Sequence, residues 1–277
     1  MTISIAQLMD TPNSVYSIPG IHARLNSKLK DSNSSNAEIA SLIEKDPGLS
    51  MVVLKIVNSA IYGFMHTIST ITQAVTILGR NELSVLLLST GIINLFQKLP
   101  IRNEQLNAHW QHSLLCGLIA KNLSVGSSLS GDSSNLFMAG LLHDMGKPVI
   151  WHKLPEQSEL IYSGTRVADS LEHELSHLGF THAEVGYELM KLWHLPESLQ
   201  ATALWHHVPE RAKTYEDWCR LIYFANRLAS LEASESIDSV LTEPCYIAGL
   251  EFTNDIFNDA RAQGKAMVTD MARIYLS

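Results

Sequence analysis

The sequence predicts an all-α protein, a helical bundle of about a dozen helices, and three observations carry the prediction. Apolar residues recur at helical spacing from one end of the chain to the other. No run alternates apolar and polar residues for long enough to read as a strand. Proline, glycine and short polar clusters separate the periodic segments.

In order along the chain, Ile21 to Lys30 is a short amphipathic helix after Pro19-Gly20, and the polar stretch Asp31 to Asn36 is a loop before a helix from Ala37 to Lys45. Asp46-Pro47 breaks the chain. Leu49 to Ile61 resumes as an apolar helix with Val52, Val53, Ile56 and Val57, stopping near Tyr62-Gly63, and Asn58-Ser59 stand where the last free carbonyls need partners. One helix then runs from Ile71 to Leu78-Gly79, and another from Asn81 to about Leu99 carries the densest apolar run. These two form the core of an N-terminal subdomain, residues 1–100. Pro100 to Asn103 marks the boundary with a second subdomain, residues 101–277.

The second half opens with a long helix from Asn103 to Leu123, followed by the Gly/Ser-rich connection Ser124 to Ser134. The next helix leads into Leu141-Leu142-His143-Asp144-Met145-Gly146-Lys147. Gly146 is expected to end it in a left-handed conformation, and Ala139 and Gly140 to leave space for a ligand one turn before His143. Pro155 to Ser170 and Leu171 to His177 are shorter and more polar. Thr181-His182-Ala183-Glu184 is a capping box that opens a helix ending at Leu195-Pro196. Helices from Glu197 to His207 and from Tyr215 to Leu231 follow, and after polar Glu232 to Ser239, Thr253 to Tyr275 reads as a helix pair or one helix interrupted at Gly264.

Composition narrows the class of protein. With 46% hydrophobic and 17% charged residues, 277 residues can bury a large core. A net charge of −8 argues against binding a nucleic-acid polymer or an anionic membrane, both of which need a basic surface. Met1 to Asp10 lacks the pattern of a signal peptide, and Leu83 to Phe96 is too short to span a bilayer, so a cytoplasmic protein is expected. The 3 cysteines, Cys116, Cys219 and Cys245, stand far apart and suggest neither a disulfide framework nor a zinc site.

Histidine carries the chemical signal. Of the 12 histidines, most fall in the second half, at helix ends (His143, His182, His206, His207) or mid-helix (His112). Helix ends converging in a bundle are where metal sites are commonly built. Imidazole beside a carboxylate, as in His143-Asp144, suits a divalent transition metal, Mn, Fe, Co, Ni or Zn, better than Ca. His173 and His177 are one turn apart, but Glu172 and Glu174 beside them point to an exposed face. His22, His66, His109, His152 and His194 read as surface or satisfied core residues.

The set Trp110-Gln111-His112-Ser113, Ala139 to Lys147, His182 and His206-His207 resembles the HD superfamily of metal-dependent phosphohydrolases. Ile18-Pro19, Ile43 to Leu49, Val57-Asn58-Ser59-Ala60-Ile61-Tyr62-Gly63 and Leu78-Gly79 narrow the resemblance to the HDOD domain, a bacterial signalling relative of those enzymes. It covers nearly the whole chain and implies an HD-like C-terminal part packed on a smaller N-terminal helical part. It also implies a first metal held by His112, His143, Asp144 and the position of Asn226, with His182, His206 and His207 as further ligands. Asn226 departs from the superfamily's aspartate and removes one formal charge. Val208-Pro209-Glu210 after His207 is no Gly-Tyr-Pro loop, which disfavours hydrolysis of cyclic di-GMP.

Two functions follow from the resemblance. One is a signal-transduction module that binds a signalling protein or nucleotide in trans. The other is a metal-dependent phosphohydrolase in which Asp144 is ligand or proton acceptor and Lys147 or Arg227 neutralises the phosphate.

Overall fold

The computed structural model describes residues 3–9, 16, 20–59, 62, 64–162, 170–232, 234–240 and 245–276. Ile18-Pro19, Ala60-Ile61, Gly63, Ala233 and the stretch 163–169 of the expected helix from Pro155 lie outside them. Among the described residues the fold is all-α apart from one short hairpin. After α1 (Ile5–Met9) and α2 (Gly20–Lys30), α3 (Asn36–Glu44) opens on a capping box in which Ser35 and Glu38 satisfy each other's backbone N–H. Asp46-Pro47 does more than break the chain. Asp46 caps α4 (Pro47–Val57) by accepting from the Leu49 N–H, and Pro47 takes the first helical position, where no N–H is needed. The α4 end is closed as expected. The Asn58 amide donates to the carbonyls of Leu54 and Ile68 at 2.8 Å each and accepts from the Ile68 N–H at 2.7 Å, while Ser59 donates to the Ile56 carbonyl. α5 (Ile71–Gln97) is bent at Gly79, whose φ of 74° is left-handed, so its two halves match the two expected helices.

Next come α6 (Asn103–Leu123), a 3₁₀ turn at Ser130–Asp132, α7 (Ser133–Leu142), α8 (Gly146–Lys153), α9 (Pro155–Tyr162) and α10 (Ser170–Leu178). The order continues with α11 (His182–Leu192), α12 (Glu197–Trp205), α13 (Glu216–Ser230), strands β1 (Cys245–Ile247) and β2 (Leu250–Phe252), and α14 (Asn254–Tyr275). α14 is a single helix. Gly264 serves close contact there, since a Cβ would come within 3.0 Å of Ile119. The antiparallel hairpin turns at Ala248 and Gly249, both with positive φ, the geometry of a tight two-residue turn.

The chain divides into two compact units that interleave in sequence, whereas the expected boundary was a single cut at residue 100. One comprises Leu99–Gly264 with the described residues of Met1–Val15, and the other comprises Tyr16–Lys98 with Lys265–Ser277. In the latter, α2, α3 and α4 pack on α5, burying Leu25, Ile39, Ile43, Val53, Ile56 and Phe96. In the former, α6 and α7 pack closely enough that a Cβ on Gly140 would sit 2.6 Å from the Gly117 Cα. Gly140 therefore serves the helix crossing and does not open ligand space as expected. No described helix is long and apolar enough to cross a membrane.

Candidate metal centre

All the polar groups of the site belong to the unit built on Leu99–Gly264. The glycine crossing of α6 on α7 sets His112 and His143 side by side, with ring centroids 5.5 Å apart. His143 and Asp144 occupy the turn after α7. Gly146 then starts α8 instead of ending a helix, and it is not left-handed. The reason for glycine is steric. A Cβ at residue 146 would lie 1.9 Å from the His182 carbonyl and 2.8 Å from the Gly186 nitrogen, so α8 rests directly on the first turn of α11. That contact brings His182, opened by the Thr181–Glu184 capping box, to Asp144. His206 and His207 follow the end of α12, and Asn226 lies on α13 beside His112.

Asp144 is the hub and is 1% exposed. Its Oδ1 stands 3.0 Å from His182 Nε2 and 3.4 Å from His206 Nε2, and its Oδ2 stands 2.6 Å from Lys147 Nζ, 3.4 Å from His143 Nε2 and 3.9 Å from His112 Nε2. His207 Nε2 is 3.1 Å from His182 Nε2. The donors form two sets that share Asp144. One adds His182, His206 and His207, and the other adds His112 and His143. Arg227, the alternative phosphate partner to Lys147, is turned elsewhere, donating to the Tyr223 hydroxyl and the Ser239 carbonyl.

The hydrogen-bond pattern shows what these groups are prepared to do. A carbonyl only accepts, so His143 Nδ1–H donates to the Gly140 carbonyl at 2.7 Å and His206 Nδ1–H to that of Ala203 at 2.9 Å. His182 Nδ1–H donates to both oxygens of Glu174 at 2.7 and 2.8 Å. Each ring is thereby held with Nε2 facing Asp144, the arrangement of metal-binding imidazoles. Five atoms at the centre are buried without a hydrogen-bond partner: His112 Nε2, His143 Nε2, His206 Nε2, Asp144 Oδ1 and Asn226 Oδ1. Native proteins rarely leave such atoms unsatisfied, and an ion is one of the few things that satisfies several at once.

Electrostatics agree. Burial alone would raise the Asp144 carboxyl, but His143, Lys147 and His182 outweigh it and hold the group well below the usual carboxylate range. Burial opposes charge on His143, yet Asp144 lifts it to about 10. Burial dominates at His112, pulled down to about 3, at His206, pulled down to about 4, and at His207, also lowered. The centre thus demands positive charge beside Asp144. A divalent ion would supply that charge with the histidines neutral, so the residues present fit one.

Glu174 is the residue that sequence reasoning missed. It was expected on an exposed face with His173 and His177, and those two are exposed, but Glu174 is fully buried against His182. Two histidines expected to be surface or satisfied core are neither. His22 is buried with no partner on either ring nitrogen, and His109 is buried with Nε2 unpartnered.

Comparison with known proteins gives the family. The HDOD domain model matches residues 15–209, more than half of the chain. The chain belongs to the HDOD family. This HDOD chain is 26% identical over 226 residues to an uncharacterized protein of Treponema pallidum, covering 80% of the chain but only 43% of that relative's length. Among solved structures it is similar to an HDOD domain protein of unknown function from Geobacter sulfurreducens, with 23% identity and a TM-score of 0.72 over 98% of this chain and 95% of the other. A structure from Shewanella amazonensis named "putative phosphohydrolase" is 20% identical with a TM-score of 0.77, over 99% and 98% of the two chains. At these identities the structural likeness establishes the fold.

Proposed function

We propose that this HDOD chain is a signal-transduction module whose centre holds a divalent transition metal and which acts by binding a partner protein or a nucleotide in trans. The observation that best supports this reading is the closure of the centre. His143, Asp144, His182 and His206 are each 1% exposed or less, so a metal there is placed to tie α6, α7, α11, α12 and α13 together more than to meet substrate. Asn226 works in the same direction, because a neutral amide replaces an anionic ligand and weakens any hard-cation site. The metal ligands in this reading are Asp144 Oδ1 with His182, His206 and His207, and Asp144 Oδ2 with His112 and His143, with Asn226, beside His112, as a neutral donor to the second set. When bound, the ion would supply Lewis acidity as well as structural charge.

A second reading, a metal-dependent phosphohydrolase, is favoured by one observation. A cavity of about 370 Å³ opens beside His207, lined also by Pro209, Glu210, Arg220, Tyr223 and Phe224. In that reading Lys147 would share its charge between Asp144 and a phosphate, and Asp144 would be ligand or proton acceptor. Metal analysis of the purified chain with a phosphodiesterase assay on bis-p-nitrophenyl phosphate tests both. Bound metal that is lost in Asp144→Ala, with background turnover, is the expected result. Strong turnover abolished in His143→Ala would replace the regulatory reading with the enzyme, and negligible metal in the wild type would remove both.

A further inference from the structure

We infer that Glu174 is the positioning residue of this centre, holding His182 as an Nε2 ligand, and that Tyr162 in turn holds Glu174. The inference rests on the metal reading above and goes beyond it by assigning two residues that are not themselves ligands. Every acceptor direction of the Glu174 carboxylate on the His182 side is used. Oε1 and Oε2 accept from His182 Nδ1–H, Oε2 also accepts from the His182 backbone N–H at 2.7 Å, and Oε1 accepts from the Tyr162 hydroxyl at 2.7 Å. The carboxylate is 0% exposed, a condition acidic side chains tolerate only when fully paired.

His143 and His206 lean on neutral carbonyls, whereas His182 leans on an anion. An anion behind an imidazole locks both tautomer and ring orientation and makes the far nitrogen a stronger donor. Three consecutive helices, α9, α10 and α11, thus meet at one carboxylate. Glu172, His173, Leu175, Ser176 and His177 of α10 are exposed, whereas Glu174 is buried with Leu178.

A plain brace between α10 and α11 would use the same bonds, so the test must read the metal through His182. Zn²⁺ affinity is measured by chelator competition on the full chain, together with the visible spectrum of the Co²⁺-loaded protein and the melting temperature of the metal-free protein. Glu174→Gln is expected to weaken Zn²⁺ binding by about 10- to 100-fold and to change the Co²⁺ spectrum, and Tyr162→Phe to weaken binding less. In a His182→Ala background neither substitution should weaken it further. Unchanged affinity in Glu174→Gln, or a loss that persists without His182, overturns the inference while leaving the metal reading standing. A wild type that takes up no Zn²⁺ overturns both. Should Glu174→Gln fail to fold, the Tyr162→Phe pair with and without His182 decides by the same criterion.

Discussion

In the proposed centre Asn226 stands where a carboxylate would complete the His112–His143–Asp144 set; it lies beside His112, and its Oδ1 is buried without a partner. Asn226→Asp keeps the shape and adds a charge. With a cation beside it, the variant should bind Zn²⁺ or Mn²⁺ at least about tenfold more tightly, worth about 1.4 kcal/mol, and raise phosphodiester hydrolysis above wild type. With none, the buried acid should lower stability by about 1 to 3 kcal/mol, measured as a drop in unfolding midpoint. His22 offers a separate test in the other unit. Burial lowers its pKa from 6.5, with Asp46 opposing only in part, so folding makes the ring harder to protonate. The unfolded state then binds the extra proton, and the stabilisation present at neutral pH is lost as pH falls through about 6.5. A His22→Gln variant should show a shallower fall in denaturant midpoint between pH 7.5 and 5.5, and an identical slope would overturn the assignment. His143, His182, His206 and His207 could be picked because they stand at helix ends that can converge in a bundle, Asp144 because it adjoins His143, and His112 through the HD resemblance. Glu174 could not be picked from a polar run. Its signal was positional: it shares a helical stripe with Leu171 and Leu178, and a carboxylate in an apolar stripe calls for a buried partner.

The start of α11 was legible because a capping side chain acts over three or four residues, as at Thr181, and Ser35, Asp46 and Thr70 cap α3, α4 and α5 in the same way. Elements whose reason is tertiary were not. α8 was missed because Gly146 looks like a helix terminator, and its true constraint is the α11 backbone laid against it. The hairpin was missed because three-residue strands carry no alternation to read. Two substitutions separate local from tertiary roles. Asn58→Ala removes two donated bonds and one accepted bond at the α4 end and should cost about 1 to 3 kcal/mol in denaturant unfolding, with metal content unchanged. Gly146→Ala forces a methyl against the His182 carbonyl and should cost about 3 kcal/mol or more, with metal content falling as well. A Gly146→Ala protein of wild-type stability and metal content would show that α8 and α11 do not need their close contact.

At the scale of the whole chain, charge and connectivity set the last expectation. The net charge of −8 is in keeping with a centre in which Lys147 and two histidines with raised pKa, His143 and His182, face Asp144. The interleaving of the two units was not legible, since nothing local in residues 265–277 marks them as belonging with Tyr16–Lys98. The candidate ligands, by contrast, all lie in the unit built on Leu99–Gly264, although they are spread from His112 to Asn226 along the chain. An ion that binds the folded centre and not the dispersed ligands must therefore stabilise that unit. At a free concentration one hundred times its dissociation constant, the gain is about 2.7 kcal/mol. For a domain of this size that corresponds to a rise of about 5 to 10 °C in melting temperature. Scanning calorimetry with Zn²⁺ should show that rise, a chelator should reverse it, and Asp144→Ala should abolish it. Where two transitions are resolved, the one that moves should be the one lost when α7 or α11 is disrupted. A melting profile indifferent to Zn²⁺, Co²⁺ and Mn²⁺ would mean that the five unsatisfied atoms around Asp144 are met by protons and water, and that this centre holds no metal.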